Sequence, residues 1–461
     1  MGDPVGQSQK AIDLTDPEKV GFQPAAVPRD QSPDLAWRWG RPAFAACCLC
    51  ALYFLVFIGA QVLQNASAGS SPLSGDGDAT RQLVYLVIFG LAAGSIAYPW
   101  NPRPFVLFPL SLIALMAWCW LSLSWAIEPG IAVRRLALTT MILLTIFVLV
   151  DQAGVRNALN ALAALLILAL VINFAWVFLG RGTHLAGEFD PALVGNWRGV
   201  TIHKNVAGAL CAITIIALGL DTGSRNRFAR LAVSAAAAYF LVNTQSKTSM
   251  GLLVGSLVVG FVYSRVEAKK RRRMVILAAL AAILFLLLGR DYWGALPEIF
   301  SQPDAFTGRV QIWPMLLQYA ASNPIFGSGY GSFWNIGAAS PILRMSNSWV
   351  STLATGHNGY LDVVVQIGVP GLVLAVISTI LGPFWTLATE RIPAELGGRL
   401  IALLVFCAGH NLTESSLLDR DMVVWVVLVS VVAITQKAVH GYSPPNIQAQ
   451  DASPVAGWMS R

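Results

Sequence analysis

Long apolar segments alternate with shorter polar ones along almost the whole chain. A helix needs about 20 mostly apolar residues to cross the hydrocarbon core of a bilayer. By that criterion the sequence predicts an all-α integral membrane protein with about twelve transmembrane helices, at residues 42–62, 82–99, 104–125, 135–151, 158–179, 205–220, 229–244, 249–264, 274–289, 370–388, 400–413 and 422–437. The residues NTQSKTS join the seventh and eighth of these, which favours a tight turn between two antiparallel helices.

The polar segments divide the chain further. Residues 1–41 and 439–461 are predicted cytoplasmic tails, residues 42–289 hold the first nine spans, and residues 357–438 hold an interfacial helix and the last three spans. Residues 290–356 remain as one large extracytoplasmic loop, far longer than an ordinary connection. This loop is rich in aromatic residues, its RVQIWPMLLQYA stretch has helical spacing, and NPIFGSGYGSFW is typical of turns. We therefore expect short helices in it rather than disorder.

Composition agrees with the bilayer as solvent. The chain has 461 residues, of which 56% are hydrophobic and 12% charged, whereas soluble domains carry about 25% charged residues. The formal net charge of +7 comes from basic residues between the apolar segments, so no nucleic-acid partner is expected. All six cysteines fall in apolar segments and show no metal-ligand spacing, which predicts packing residues without a disulfide framework.

The distribution of lysine and arginine predicts the orientation in the membrane. Basic residues such as those of EAKKRRR at residues 267–273 concentrate on the side of both termini. Since cytoplasmic loops carry the excess of Lys and Arg, this side is assigned to the cytoplasm. The basic segment itself is interpreted as a topology anchor beside anionic lipid.

His357 is the first candidate for chemistry, because ionisable residues at the edge of a membrane are costly. In HNGYLDVVVQIG, the residues Asn358, Asp362 and Gln366 are four apart and form one polar line on a helix. His357 would open a short interfacial helix with this line facing a cavity, and its imidazole can accept a proton near neutral pH. A histidine that only caps or anchors the helix is an equal alternative.

Two basic residues on the same side are candidates for binding an anion. Arg309 offers a planar fork of donors to a phosphate, but it can instead pair with Asp304 or Asp291. Lys247 lies in the tight turn and is expected to be surrounded by the hydroxyl groups of Ser246, Thr248 and Ser249. Two interpretations are open: this cluster binds an oxyanion, or Lys247 is an ordinary snorkelling lysine.

Two further polar segments are interpreted as structural. In TIHKNVAG, His203 and Lys204 precede a span and Asn205 can cap it. In HNLTESSLLDRD, His410 and Glu414 are expected to form a hydrogen-bonded polar pair between helices.

The order of six segments along the chain resembles the O-antigen ligase / Wzy-type polymerase superfamily of bacterial membrane glycosyltransferases. Within that superfamily the chain looks most like the exopolysaccharide polymerases of the ExoQ type, and the resemblance covers roughly residues 42–438. The segments are SLSWAIEPGIAVRRLAL, TIHKNVAGAL, TQSKTSM, FTGRVQIWPMLLQYAASNPIFGSGYGSFW, GHNGYLDVVVQIGVPGL and NLTESSLL.

The resemblance implies an enzyme of the bacterial inner membrane with its active site facing the periplasm. Such enzymes transfer a glycan from a polyprenyl-diphosphate carrier to a sugar hydroxyl, which belongs to another lipid-linked repeat in polymerases and to the lipid A core in ligases. The resemblance implies no metal, no nucleotide sugar and no cofactor. It also implies functional partners, a flippase and a chain-length regulator.

The resemblance also implies roles for individual residues. Two basic residues hold the diphosphate and one histidine acts on the acceptor hydroxyl, and these fall on Arg309, Lys247 and His357. Relatives often have arginine where this chain has Lys247, which keeps the charge and loses the bidentate fork. Asn358 and Asp362 are supporting residues, and inversion at the anomeric carbon is expected.

Other functions stay open at this point. The first is a ligase instead of a polymerase, the second a transporter or flippase without covalent chemistry, and the third a membrane subunit that binds glycan without reacting. Six aromatic residues of the large loop are candidates to stack on sugar rings or simply to pack the loop, namely Trp313, Tyr319, Phe326, Tyr330, Phe333 and Trp334.

Overall fold

The structure is a computed structural model, and the described residues are Gly2, 33–62, 79–97, 107–185, 193–220, 226–273, 276, 309–346 and 348–440. The chain divides into two units, Met1–Gly40 and Arg41–Arg461. Apart from Gly2, the described residues of the first unit are the helical ones from Pro33 onward. The site described below lies entirely in the second unit.

The described residues form helices and turns and no strand. In chain order the α-helices are α1 (Pro33–Phe54), α2 (Ala79–Ala97), α3 (Leu110–Leu121), α4 (Pro129–Phe178), α5 (Lys204–Gly219), α6 (Arg227–Thr244), α7 (Lys247–Arg265), α8 (Arg309–Ser322), α9 (Pro341–Met345), α10 (Gly359–Val376), α11 (Gly382–Thr389), α12 (Ala394–His410) and α13 (Val423–His440). Short π-helical turns extend α1 over Leu55–Gly59 and join α10 to α11 over Ile377–Leu381. The all-α class is thus confirmed for this part of the chain.

Helix α4 corresponds to two predicted spans, 135–151 and 158–179. Its 50 residues would measure about 75 Å as one straight helix, more than twice the thickness of the hydrocarbon core. Between the two predicted spans, Gly154 leaves helical geometry with φ 77° and ψ 162°. Glycine tolerates this conformation because it has no Cβ, so the helix breaks at this residue and not at a polar loop.

Six helical segments among the described residues are long and apolar enough to cross a membrane: Gly40–Val62, Ala79–Ile96, Pro129–Phe178, Lys247–Arg265, Gly359–Thr389 and Val423–His440. The prediction of about twelve spans is therefore not confirmed. Predicted spans 104–125 and 205–220 form shorter apolar helices, Leu110–Trp125 and Lys204–Gly219. Predicted span 274–289 lies almost wholly outside the described residues, as does the first part of the predicted large loop.

The core is built around α13. Its residues from Val423 to Thr435 are buried, and Trp425 is among the largest fully buried side chains. Helix α13 packs against α4 and α12, and α12 packs most extensively against α7. The last contact is close because glycines meet there: a Cβ at Gly260 would lie 2.6 Å from the Gly398 carbonyl oxygen. Small residues of this kind let membrane helices approach closely.

A second, smaller core lies between α8 and α10. Ile312, Leu316, Phe333, Val350 and Val365 are buried together there, joining both helices to the segment between them. That segment contains α9 and a 3-10 turn at Trp349–Thr352, which agrees with the prediction of short helices. The predicted helix RVQIWPMLLQYA is also confirmed, as part of α8.

The glycine-rich residues 327–337 form turns, as predicted, and are held by α4. Arg135 of α4 donates hydrogen bonds to three carbonyl oxygens of this segment, those of Gly331, Trp334 and Asn335, at 2.6–2.9 Å. Gly329 has φ +87°, and a Cβ there would lie 2.5 Å from Cα of Ala126. This position therefore requires glycine both for its backbone angle and for its close approach.

Candidate functional site

The carboxylate of Glu414 joins three parts of the chain. The amide Nδ2 of Asn205 donates to Oε1 at 2.6 Å, and Nη2 of Arg309 donates to the same oxygen. Nδ1 of His357 lies 3.4 Å from Oε2. The Glu414 side chain is only 12% exposed, so this carboxylate is a buried meeting point for two of the predicted site residues.

Four helix N-termini meet at the segment Asn411–Glu414. Asn205, in the first turn of α5, and Arg309, the first residue of α8, bind Glu414 as described. Thr248 of α7 accepts a hydrogen bond from Thr413 at 3.1 Å. At the start of α10, the backbone N–H of Gly359 donates to the carbonyl oxygens of Asn411 and Glu414. The segment therefore brings together elements that are far apart in sequence.

Three of these helices begin with a cation: α5 with Lys204, α7 with Lys247 and α8 with Arg309. None of the three has an acidic residue in its first turn. A helix N-terminus carries partial positive charge, and acidic side chains are the ones that stabilise it. The site thus gathers positive charge, with Glu414 as the carboxylate that Arg309 contacts.

His357 is held in an unusual backbone conformation, with φ 50°. On one side, the N–H of Gly356 donates to both carboxylate oxygens of Asp362 at 3.1 Å. On the other, the N–H of Asn358 donates to Oγ of Ser415 at 3.1 Å. Left-handed geometry costs a non-glycine residue about 1–2 kcal/mol, and these bonds are what hold His357 in it.

Asn358 and Asp362, the residues to which the resemblance assigned a supporting role, both make hydrogen bonds within the segment around His357. Asn358 caps α10, because its Oδ1 accepts from the N–H groups of Tyr360 and Leu361 at 3.1 Å. Asp362 is buried and also accepts from the indole of Trp334 at 2.9 Å. The predicted break of the helix after the polar line is present too, since Ile367 and Gly368 leave helical geometry.

Gln366, the third residue of the polar line, has a structural contact with the glycine-rich segment. Its Oε1 accepts from the N–H of Gly331 at 2.7 Å, and its Nε2 donates to the carbonyl oxygen of Asp362 at 2.9 Å. Both contacts are to backbone groups, and they join the start of α10 to the glycine-rich segment.

Lys247 is exposed, and among the described residues no hydrogen-bond or ion-pair partner of its ammonium group is found. Its turn is nevertheless part of the site, because Nζ of Lys204 lies 3.5 Å from the carbonyl oxygen of Gln245. The prediction that hydroxyl groups surround the ammonium of Lys247 at the surface is wrong for two of the three residues. Ser246 and Ser249 are buried, since they fill the space beside Gly208 where α5 and α7 touch.

Arg309 is 12% exposed and pairs with Glu414. The alternative partners considered from the sequence, Asp304 and Asp291, lie outside the described residues. Glu414 was expected to pair with His410, and that expectation is wrong. His410 is buried, and within the described part of the chain neither ring nitrogen has a hydrogen-bond partner.

The central position of Glu414 was not predicted from the sequence. It lies 57 residues from His357 and 105 from Arg309, so no local spacing connects them. The one signal was an acidic residue in an otherwise apolar and hydroxyl-rich stretch, NLTESSLL.

Charges around Glu414 control its ionisation. Burial by itself raises the pKa of the Glu414 carboxyl, but the hydrogen bond and charge of His357, then the charges of Arg309 and His410, outweigh burial and lower the pKa to about 2. The group is therefore a carboxylate at any physiological pH.

A second histidine beside the site is kept neutral. Burial lowers the pKa of His203 to about 4. Its Nδ1 accepts a hydrogen bond from the N–H of Asn205 at 3.2 Å and so caps α5, which requires an unprotonated nitrogen. His203 thereby fixes Asn205, the residue that binds Glu414.

Three of the six candidate aromatic residues of the predicted loop are buried inside the protein. Tyr330, Phe333 and Trp334 are buried, and Tyr330 donates a hydrogen bond to the carbonyl oxygen of Leu418 at 2.6 Å. Phe326 is exposed and contacts Trp125 with ring centroids 4.9 Å apart. For the three buried residues the structure thus favours the alternative in which they pack the loop.

No group of three or more His, Cys, Asp or Glu residues that could hold a metal ion occurs among the described residues.

The helices and this polar cluster define a multi-pass membrane protein with a histidine, a carboxylate and basic residues gathered at helix ends. Residues 232–376 match the family model Wzy_C, described as O-Antigen ligase. Over these residues, which are less than half of the chain, the protein is similar to the O-antigen ligase family, and the match supports ligase-type or polymerase-type glycosyl transfer at a coarse level. A comparison with curated proteins gave no match.

The matched segment runs from α6 to the end of α10. It contains Lys247, Arg309 and His357, whereas Asn205 and Glu414 lie on either side of it. The structure therefore adds two residues to the matched segment: Glu414, which contacts its histidine and its arginine, and Asn205, which contacts Glu414.

Proposed function

We propose that the chain transfers a glycan from a polyprenyl-diphosphate-linked oligosaccharide to a sugar hydroxyl, at the periplasmic face of a bacterial inner membrane. The observation that carries the proposal is the contact of His357 with Glu414, which binds Arg309 through its other oxygen. A base oriented by a carboxylate, beside a cation for the leaving group, is the set of parts that this transfer needs.

His357 acts as the general base. With its Nδ1 proton directed to Glu414, Nε2 carries the lone pair that accepts a proton. The His357 side chain is 32% exposed, so the ring remains open to a substrate. Glu414 fixes the tautomer and stabilises the imidazolium that forms, as the third member of a triad does.

The diphosphate binds to the cations at the helix starts. Arg309 and Lys247 are the proposed ligands, and Lys204 lies beside the turn of Lys247. These three positive charges exceed the single negative charge of Glu414 by two, which matches a diphosphate diester. The helix dipoles at the starts of α5 and α7 add to this attraction.

The reaction is a displacement at the anomeric carbon. The acceptor oxygen attacks that carbon from the face opposite the diphosphate, and its proton passes to Nε2 of His357. The bond between the anomeric carbon and the phosphate oxygen breaks, and the polyprenyl diphosphate leaves with the electron pair. The configuration at the anomeric carbon is therefore inverted, and no pair of carboxylates is required.

The acceptor decides between two forms of this function. A polymerase joins exopolysaccharide repeat units, and the residues SKTS of the tight turn favour this form through their resemblance to the exopolysaccharide branch. An O-antigen ligase passes the glycan to lipid A core, and the description of the matched family favours that form. A flippase and a chain-length regulator are proposed partners of the polymerase.

Reconstitution tests the proposal directly. The full-length protein in liposomes receives a polyprenyl-diphosphate-linked repeat, and the products are separated on a gel. A ladder of repeats supports the polymerase, transfer only after addition of lipid A core supports the ligase, and no covalent product under either condition overturns glycosyl transfer in favour of transport.

Variants in the same assay test the site. His357→Ala and Arg309→Ala should each abolish the product. His440→Ala is the matched control, because His440 is an exposed histidine at the end of α13. Near-normal activity of His357→Ala would refute the base assignment. Maleimide labelling of Lys247→Cys from the periplasmic side tests the orientation.

A further inference from the structure

A small cavity lies beside the segments that carry His357 and Glu414. Thr355, two residues before His357, and Ser415, directly after Glu414, both line it. Asp362 lines it as well and is the residue that holds the N–H of Gly356. The cavity thus lies next to the segments that carry the proposed catalytic base and its carboxylate, and it includes none of the cations at the helix starts.

The lining offers hydrogen-bond donors and acceptors with balanced charge. Arg135 and Arg420 contribute two positive charges, and Asp362 and Asp419 contribute two negative ones. Side-chain hydroxyl groups and the ring of Trp334 complete the surface. Such a mixture suits the hydroxyl groups of a neutral sugar, which both donate and accept, whereas a phosphate needs excess positive charge and a lipid tail needs an apolar wall.

Backbone strain is concentrated around this cavity. Among the described residues, five that are not glycine have positive φ, and three of them line the cavity: Asn335 at 53°, Leu418 at 57° and Arg420 at 35°. A fourth is His357. For a leucine this conformation is a true outlier. Strained residues of this kind persist where the surrounding structure enforces them, and they cluster at binding and active sites.

We infer that this cavity binds a hydroxyl-bearing, uncharged part of the acceptor sugar. This inference rests on the proposed glycosyl transfer. The cavity has a volume of about 60 Å³, well below the roughly 150 Å³ that holds a benzene ring. It therefore takes a hydroxymethyl group or one hydroxylated edge of the ring, and leaves the rest of the acceptor in the open beside His357.

Binding of a simple glycoside tests the cavity apart from catalysis. Saturation-transfer NMR is recorded for methyl β-D-glucopyranoside with the full-length protein in detergent. The variant Thr355→Leu fills the cavity, and Thr352→Leu is the matched control, because Thr352 is an exposed threonine of the preceding 3-10 turn that does not line the cavity. We expect binding to weaken by about tenfold in Thr355→Leu and to be unchanged in Thr352→Leu and His357→Ala.

Three NMR results would overturn the inference. Equal signals for wild type and Thr355→Leu would mean that the cavity holds only solvent. Stronger saturation of methyl β-D-glucuronide than of the glucoside would mean that it selects an acidic group. Size-exclusion chromatography shows whether a loss of signal in all variants is due to unfolding. A folded Thr352→Leu protein that binds no glycoside also overturns the inference.

Kinetics separate this inference from the proposed function. In the transfer assay, Thr355→Leu should raise the acceptor KM by about tenfold with kcat within about twofold. An inactive His357→Ala together with an unchanged KM in Thr355→Leu would remove the subsite and keep the transferase. Full activity of His357→Ala together with lost glycoside binding in Thr355→Leu would remove the base and keep the subsite.

Discussion

Replacing Glu414 by glutamine tests the site most directly, because it removes one charge and keeps the shape. The carboxylate lies 3.4 Å from Nδ1 of His357. At that separation, the attraction to an imidazolium is about 1 kcal/mol in water and about 5 kcal/mol at an effective dielectric constant of about 20. Glu414 is 12% and His357 32% exposed, which places the pair between these limits, at about 2–3 kcal/mol.

This attraction exists only when His357 has accepted the proton, so it lowers the barrier and not the ground state. Glu414→Gln should therefore reduce kcat by about 30- to 150-fold. Single-turnover transfer with preformed enzyme and donor measures this, after the folded fraction is checked by thermal unfolding, because Arg309 also loses its carboxylate partner. Since the pKa of Glu414 is about 2, the carboxylate stays ionised from about pH 5 to 9, and its own titration adds no pH dependence to the loss in that range.

The matched control is Glu267→Gln. Glu267 also lies 3.4 Å from a cation, the ammonium of Lys270, but both side chains are largely exposed. An exposed pair contributes little, so this variant should keep full activity. A folded Glu414→Gln protein with kcat within twofold of wild type would refute the role of Glu414 in supporting His357.

Three further variants test the fold around the site. Gly329→Ala should lower the unfolding temperature more than Gly337→Ala, because both have left-handed φ but a Cβ at Gly337 meets open space; equal losses would show that the close approach at Gly329 is unimportant. Lys437→Met removes the ammonium group that lies 2.6 Å from the carboxylate of Asp151, and it should lower the unfolding free energy by about 3–5 kcal/mol. The double variant Lys437→Met/Asp151→Leu should recover most of that loss. A double variant no more stable than Lys437→Met would contradict this explanation. Because burial lowers the pKa of His203 to about 4, its contribution to stability should be complete above about pH 6.5 and be lost as the pH falls through about 4; His203→Asn keeps a capping side chain and should flatten that dependence in denaturant unfolding, and an unchanged slope would exclude His203 as its source.

The sequence predicted the parts of the site that depend on local spacing. His357, Asn358 and Asp362 lie within six positions of one another, so helical periodicity alone places them on adjacent turns. Arg309 was a candidate from the sequence because its planar guanidinium can bind a phosphate, and the resemblance implied the same role. Glu414 was missed, because its contacts with His357 and Arg309 arise from the packing of α8, α10 and the segment after α12.

The predicted spans show the same limit. Hydropathy located apolar segments well, but it could not tell whether the residues DQAGVRN between two of them form a loop or continue a helix. In the structure these residues are helical, and only Gly154 leaves helical geometry. Likewise, Ser246 and Ser249 were assigned to an exposed turn from their residue type, although the close approach of α5 and α7 buries them.

The cations at the helix starts disagree with local helix preferences, and this disagreement is itself an argument for the diphosphate. A lysine at a helix N-terminus opposes the dipole by about 0.3–1 kcal/mol, and the chain places Lys204 and Lys247 at the starts of two touching helices. Proteins accept such local conflicts mainly at functional sites. Lys204→Gln should therefore raise the unfolding temperature of the free protein and weaken the binding of a soluble prenyl diphosphate. Lys269→Gln is the control, because Lys269 is an exposed lysine in the basic segment after α7. A Lys204→Gln protein that loses stability and binds the prenyl diphosphate as tightly as wild type would show that Lys204 serves the packing of α5 and α7 alone.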